Sequence, residues 1–278
     1  MNYLLIGPYV GDWEQEIVNF RPYVRWLCDS LEYDEVFVSS HYNRLFLYDF
    51  IPESNKIPIY KHLSVYEYDQ VGYYNKRINQ KNFRNIVKYA KQIILNDKKC
   101  VKRDITNYQL NYVKNVKHVP IYNKIFEKIK VSHSCPLTNM DKIVFIPDIK
   151  SDERLLNKIH YHVLNNYDSI IIGDMKTEYP EDNIITPMIN YFDFGFQYII
   201  DHINTSRMVI CPTGVWTFIS NLQGKPVFSW GENVSSFKDN GVYNFNNKKS
   251  FILPTNNETN PDLVIRSLDK FIKDLKIV

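Results

Sequence analysis

No Cys-x-x-Cys pair occurs in the 278-residue chain, and its four cysteines (Cys28, Cys100, Cys135 and Cys211) are widely scattered. Thiolate-metal spacing is therefore absent and nothing suggests a disulfide framework, which points to a reducing cytosol. No run approaches the roughly 20 apolar residues that span a bilayer, so no integral membrane contact is expected. The opening MNYLLIGPYVGDWEQE is too short and too acidic for a signal peptide. A cytoplasmic location is the expectation, the host cytoplasm if the chain is viral. Neither a G-x-S-x-G elbow nor a Walker loop is present. There is no Asp-x-Asp motif to hold a diphosphate through a metal, and His160 and His162, two apart on an expected helix, point to different faces. No metal site is expected. Internal repeats of short period and low-complexity tracts are missing too.

What is present is an apolar content of 44%, enough for a core in one large domain or two small ones. The net charge of +3 hides an asymmetry. From Val71 to Lys130, 15 Lys or Arg face three acids, a local surplus of +12 that leaves −9 for the rest. Aromatic residues (Tyr73, Tyr74, Phe83, Tyr89, Tyr108, Tyr112, Tyr122, Phe126) are interleaved with these cations. Cations meet phosphates and rings stack on exposed bases, so the segment points to a polyanion such as double-stranded DNA. Lys98, Lys99, Lys102 and Arg103 are its densest cluster. A solvated, Lys-rich helix face explains the same composition.

Along the chain, residues 2–6 read as a buried strand, 7–16 as a Gly-bearing loop and 17–31 as an amphipathic helix. Pro22 would sit awkwardly inside that stretch, so the helix itself is expected to start there, where proline is tolerated. Residues 34–40 form a second strand, 80–95 a helix, 116–121 a short strand and 131–140 a linker. The second half alternates: strand 141–148, helix 152–166 with Ser151 or Asp152 as N-cap, strand 168–174, a short strand within 182–188, helix 194–205, strand 206–212, helix 213–224, strand 225–231 and a terminal helix 261–277. Such alternation builds a doubly wound parallel sheet. The expected architecture is α/β, with two Rossmann-like lobes at 1–137 and 138–278 and a cleft between them.

The stretch CPTGVWTFISNLQGKPVFSWG (211–231) places a short polar turn between a strand and a helix. Free N–H groups and the helix dipole attract phosphates there. The plain alternative is a βα connection capped by Thr213. The passage resembles the donor-binding motif of GT-B glycosyltransferases, closest to the heptosyltransferase-like kind, with Thr213, Gly214 and Thr217 at the diphosphate turn and Gly224-Lys225-Pro226 at the return. It departs at Pro212 and Thr217, where that family shows Asp and often His. The loop GPYVGDWEQEIVNFRPYVR is similar to one in glycosyltransferase-like proteins, including bacteriophage-encoded ones, with Gly7, Gly11, Asp12, Glu14, Glu16 and Arg25 in the matching places.

The resemblance implies a GT-B-like arrangement, an acceptor in the first lobe, and a nucleotide-sugar co-substrate in the second, with a UDP-sugar expected and no cofactor. Sugar transfer with inversion needs a carboxylate that takes the acceptor's proton. Asp12, Glu14 and Glu16 are the candidates, Asp12 first because it follows Gly11. A metal-independent enzyme stabilises the leaving nucleotide with fixed cations and dipoles. Lys150, Arg154, Thr213, Gly214, Trp216 and Thr217 are the candidates for that role. Gly173 and Asp174 fit a base or ribose, and Glu232 a ribose or sugar hydroxyl. Arg25, Lys98, Lys99, Lys102 and Arg103 would face the acceptor. The expected acceptor is DNA carrying a hydroxymethylated pyrimidine. Bacterial surface glycans are the alternative acceptor, and a non-catalytic nucleic-acid-binding protein of the same fold is the alternative function.

Overall fold

The computed structural model describes residues 3–7, 9, 13–59, 88, 108–111, 120–130, 141–147, 153–172, 184–185, 196–232, 249–256 and 258–276. The chain divides into two compact units, Met1–Lys130 and Val131–Val278. The expected boundary at 137 falls within 131–140, outside the described residues.

In the first unit, strand β1 (Tyr3–Ile6) is followed by helix α1 (Trp13–Gln15), a π turn (Glu16–Phe20) and helix α2 (Arg21–Ser30). The helical path therefore begins well before Pro22. Proline has no N–H to donate four residues back and its ring crowds that carbonyl. The π turn relieves the conflict one residue earlier, where the Arg21 N–H reaches the Glu16 carbonyl. Strands β2 (Glu35–His41), β3 (Lys56–Ile59) and β4 (Tyr108–Asn111) complete a parallel sheet in the order β3-β2-β1-β4. Leu4 pairs with Val36 and Gln109 in register. Of the strand expected at 116–121, residues 116–119 lie outside the described residues. Pairing falls at Tyr108–Asn111, and Ile121–Asn123 is a 3-10 turn. Of the helix expected at 80–95, only Lys88 is described, and it is helical.

The second unit contains β5 (Ile143–Phe145), α3 (Glu153–Asn166), β6 (Ser169–Ile172), β7 (Ile184–Ile185), α4 (Phe196–Thr205), β8 (Met208–Pro212), α5 (Val215–Leu222), β9 (Val227–Gly231), β10 (Ser250–Pro254) and α6 (Pro261–Asp274). All strand pairs are parallel, in the order β10-β9-β8-β5-β6-β7. Counted from β5, this is the doubly wound order 3-2-1-4-5-6 read from its other edge. Alternate residues of the strands (Ile143 and Phe145, Met208 and Ile210, Phe228 and Trp230) build one buried face. Helices α3 and α6 cover it with side chains four apart: Leu155, Ile159 and Val163, then Val264, Leu268 and Ile272. Each such burial stabilises by about 1.5–3 kcal/mol, which is why both faces of a parallel sheet read as near-continuous apolar runs. The structure adds β10, which the sequence reading does not anticipate.

Candidate functional site

In doubly wound sheets, ligands bind outside the carboxyl ends of the strands where the strand order reverses. In the second unit that point lies between β5 and β8, the two strands that pair through Val144 and Val209. Helix α5 starts there, immediately after the turn Pro212-Thr213-Gly214. Its N-cap position falls on Gly214, and no side chain caps it. The plain reading of a Thr213 cap therefore fails. Thr213 is drawn sideways instead. Its N–H donates to the Trp230 carbonyl at 2.8 Å, and its side chain lies where a Cβ on Gly231 would collide with Oγ1. A side chain at Gly231 would have to push the Thr213 side chain aside.

Gly214 faces the other way. A Cβ built on it meets nothing within 4 Å among the described residues, which leave the helix start open on that side. Trp216 is half-buried just behind it. Thr217, expected to touch the donor, is fully buried. Its hydroxyl donates to the Pro212 carbonyl at 3.2 Å and lies 2.9 Å from Ser229 Oγ and 3.5 Å from Cys211 Sγ. It is a latch joining β8, β9 and α5, which holds the turn rather than facing the opening. Arg154 lies in the first turn of α3, at the same edge of the sheet. It is exposed, with Nη2 donating to the Thr259 carbonyl at 3.4 Å. Glu232 is exposed just past β9. Lys150, Gly173 and Asp174 lie outside the described residues.

The first unit has its own carboxyl edge. Gly7 ends β1 with φ +100°, and a Cβ there would stand 2.5 Å from the Ser39 carbonyl oxygen and 2.9 Å from the Tyr9 nitrogen. Only glycine lets the chain turn so closely over β2, a turn sealed by Tyr9 N–H donating to Ser39 O at 2.8 Å. Asp12, the first choice for a base, lies outside the described residues. Glu14 is half-buried. Glu16, expected as a third candidate base, is fully buried. It accepts hydrogen bonds from Ser40 Oγ, from Arg44 Nη1 at 2.9 Å and from Tyr48 OH at 2.7 Å. Burial raises its pKa, against the opposing pull of Arg44, Ser40 and Tyr48. A carboxylate so enclosed anchors the π turn and is out of an acceptor's reach. Beside it His41 is buried, and burial together with the Arg44 charge pushes its pKa well down, so it is neutral.

Arg25, expected to face a polyanion, is paired with Asp29 (2.6 Å) and Glu127 (2.9 Å) and lies over the Phe50 ring. Its charge is answered within the unit. Lys98, Lys99, Lys102 and Arg103 lie outside the described residues. The sequence reading missed Ser40, Arg44, Tyr48 and the buried Arg21, which bonds the Leu47, Glu127 and Lys128 carbonyls and Asp49. The available signal was an arginine inside an aromatic, apolar run, NRLFLY, where an unpaired charge would not be tolerated. The two histidines read as structural are placed so. His160 is buried against the Phe145 ring, and His162 Nε2 lies 2.7 Å from Asp269 Oδ1, tying α3 to α6.

Units built on parallel α/β sheets are the class of architecture on which nucleotide-binding enzymes are built. No family model matches the chain, and no curated protein matches it in sequence. Solved structures do match. The chain is similar to a glycosyl transferase family 9 protein from Veillonella parvula, with 11% identity, a TM-score of 0.56, and coverage of 98% of this chain and 97% of that one. It is also similar to the E. coli ADP-heptose LPS heptosyltransferase II, with 11% identity, a TM-score of 0.52, and coverage of 99% and 100%. The likeness is one of fold, and these neighbours are glycosyltransferases of the GT-B type. Among the described residues, no group of three or more His, Cys, Asp or Glu side chains could hold a metal ion. No helix among them is long and apolar enough to cross a membrane.

Proposed function

We propose that the protein is a glycosyltransferase that moves a sugar from a nucleotide-sugar, a UDP-sugar for preference, to a hydroxyl acceptor without a metal ion. The observation that carries this reading is the uncapped start of α5 at the strand-order reversal of the second unit, open on its Gly214 side. Its N–H groups and dipole would hold the donor diphosphate. Arg154 and Lys150 would add positive charge as the bond from the anomeric carbon to the diphosphate oxygen breaks. Asp12, on the loop after β1, would take the acceptor's proton as its oxygen attacks that carbon. Glu16 has no direct part in this scheme; it would hold the π turn that follows the loop.

The basic, aromatic segment 71–130 supports DNA with a hydroxymethylated pyrimidine as acceptor. The fold shared with a lipopolysaccharide heptosyltransferase supports a surface glycan as the second reading, with an ADP-sugar donor.

The test is a thermal-shift panel of UDP, ADP, GDP and CMP and their sugar conjugates, run on the native chain and on Gly214→Asp. The added carboxylate has room, so the variant folds, but it opposes a diphosphate. A ligand at 100 times its Kd adds about 2.7 kcal/mol of stability, so one nucleotide should raise Tm in the native chain and not in the variant. No shift with any nucleotide, together with a shift on adding DNA, would replace the enzyme by a nucleic-acid-binding module.

A further inference from the structure

At the opposite, amino-terminal edge of the second sheet there is an open concavity of about 500 Å³. It is lined by Asp141 before β5, Arg207 before β8, Lys225 before β9, Lys249 before β10 and Lys276 after α6. Four cations and one acid converge there, in a unit that is acidic as a whole, with 17 Asp or Glu against 14 Lys or Arg. Part of this charge answers the helices. α4, α5 and α6 end at this edge, and Lys225 Nζ donates to the Ser206 carbonyl at 2.9 Å just past α4. Helix carboxyl ends carry about half a negative charge each, so these three ends and Asp141 answer part of the four positive charges.

The side chains are also held in place. Arg207 Nη2 is fixed 3.1 Å from Asp141 Oδ2. Asp141 and Lys276 have φ of +79° and +53°, and they are the described non-glycine residues with left-handed backbone. Both line this one concavity. Each is a charged residue on a backbone that glycine would adopt at lower cost.

We propose that this edge is a second anion site, separate from the turn after β8, for a small ligand carrying a diphosphate-type group. Clustered cations around a concavity of this size match two or more closely spaced negative charges on a compact ligand. The site lies across the sheet from the α5 start and does not depend on the glycosyltransferase reading.

Inorganic pyrophosphate is the probe, titrated into the isotope-labelled full chain at low salt while backbone amide shifts are followed. Saturable shifts should appear at Gly224, Lys225, Lys249 and Lys276. They should weaken about tenfold or more in Lys249→Ala/Lys276→Ala, whose exposed side chains can be removed without disturbing the core. Any shifts at Val215 and Trp216 report the α5 start and should persist in that variant. The proposal is overturned if the four amides do not move, if the double variant binds as the native chain does, or if sodium chloride at matched ionic strength produces the same shifts.

Discussion

Glu16 shows how one residue type at one position can carry opposite meanings. A carboxylate in a loop beside a strand end reads as a base, yet three side chains from the end of β2 and the 3-10 segment Tyr42–Tyr48 behind it enclose this one. Its value to the protein is the charge it sets against Arg44, which is itself buried. Removing one partner of such a pair leaves the other charge uncompensated in the interior, at a cost of about 3–5 kcal/mol. Glu16→Ala should therefore lower the unfolding free energy, read from denaturant titration, by that amount, and the double variant Glu16→Ala/Arg44→Met should recover much of it. If Glu16→Ala leaves stability unchanged, the anchor role is wrong. Thr217 makes the same point. Its hydroxyl was legible as polar and near a turn, but only the packing of β8 on β9 sends it inward.

At the scale of elements, local rules succeeded where the chain carries its own punctuation. Helix α6 opens with Asn260 and Pro261, and the Asn260 Oδ1 accepts the Asp262 N–H at 2.9 Å. Asn260→Ala should cost about 1 kcal/mol, read as a fall in Tm, and Asn260→Asp should keep most of it. An unchanged melt for the alanine variant would mean that packing of Val264, Leu268 and Ile272 alone holds the helix start. The elements that escaped notice lack such signals. β4 (YQLN) has one large apolar residue, and its strand state comes from pairing with β1. β10 is a half-exposed edge strand, and its strand state comes from pairing with β9. The π turn before Pro22 answers a steric conflict, and no propensity scale registers it.

Across the whole molecule, acid sensitivity follows from where the histidines sit. Burial pushes the His160 pKa down to about 4, and burial also lowers those of His41 and His202. Each is neutral when folded but takes up a proton near 6.5 when unfolded, so the unfolded state binds more protons as pH falls. The stability this neutrality contributes is complete above about pH 6.5 and is lost for His160 between there and about pH 4. Tm should fall across that window, and His160→Phe, which keeps a ring on Phe145, should make the fall shallower. Equal slopes for the two proteins would show that His160 does not titrate with unfolding.

The class of fold was legible from end to end in the second half, because strand and helix periods alternate there with short connections and both faces of the sheet must be apolar. The turn at 212–214 was legible as a strand-to-helix turn because a glycine follows a strand and precedes a helix. Which side chains face that opening was not legible. Sequence spacing orders residues along the chain, whereas exposure depends on contacts between strands far apart in it. Thr213 was turned against Gly231, Thr217 sealed behind the sheet and Gly214 left open by the packing of β8, β9 and α5. The same applies to Glu16, which was drawn inside by an arginine 28 residues away. It applies again to the basic concavity, whose four cations precede β8, β9 and β10 or follow α6 and meet because the strands of the second sheet run in the same direction.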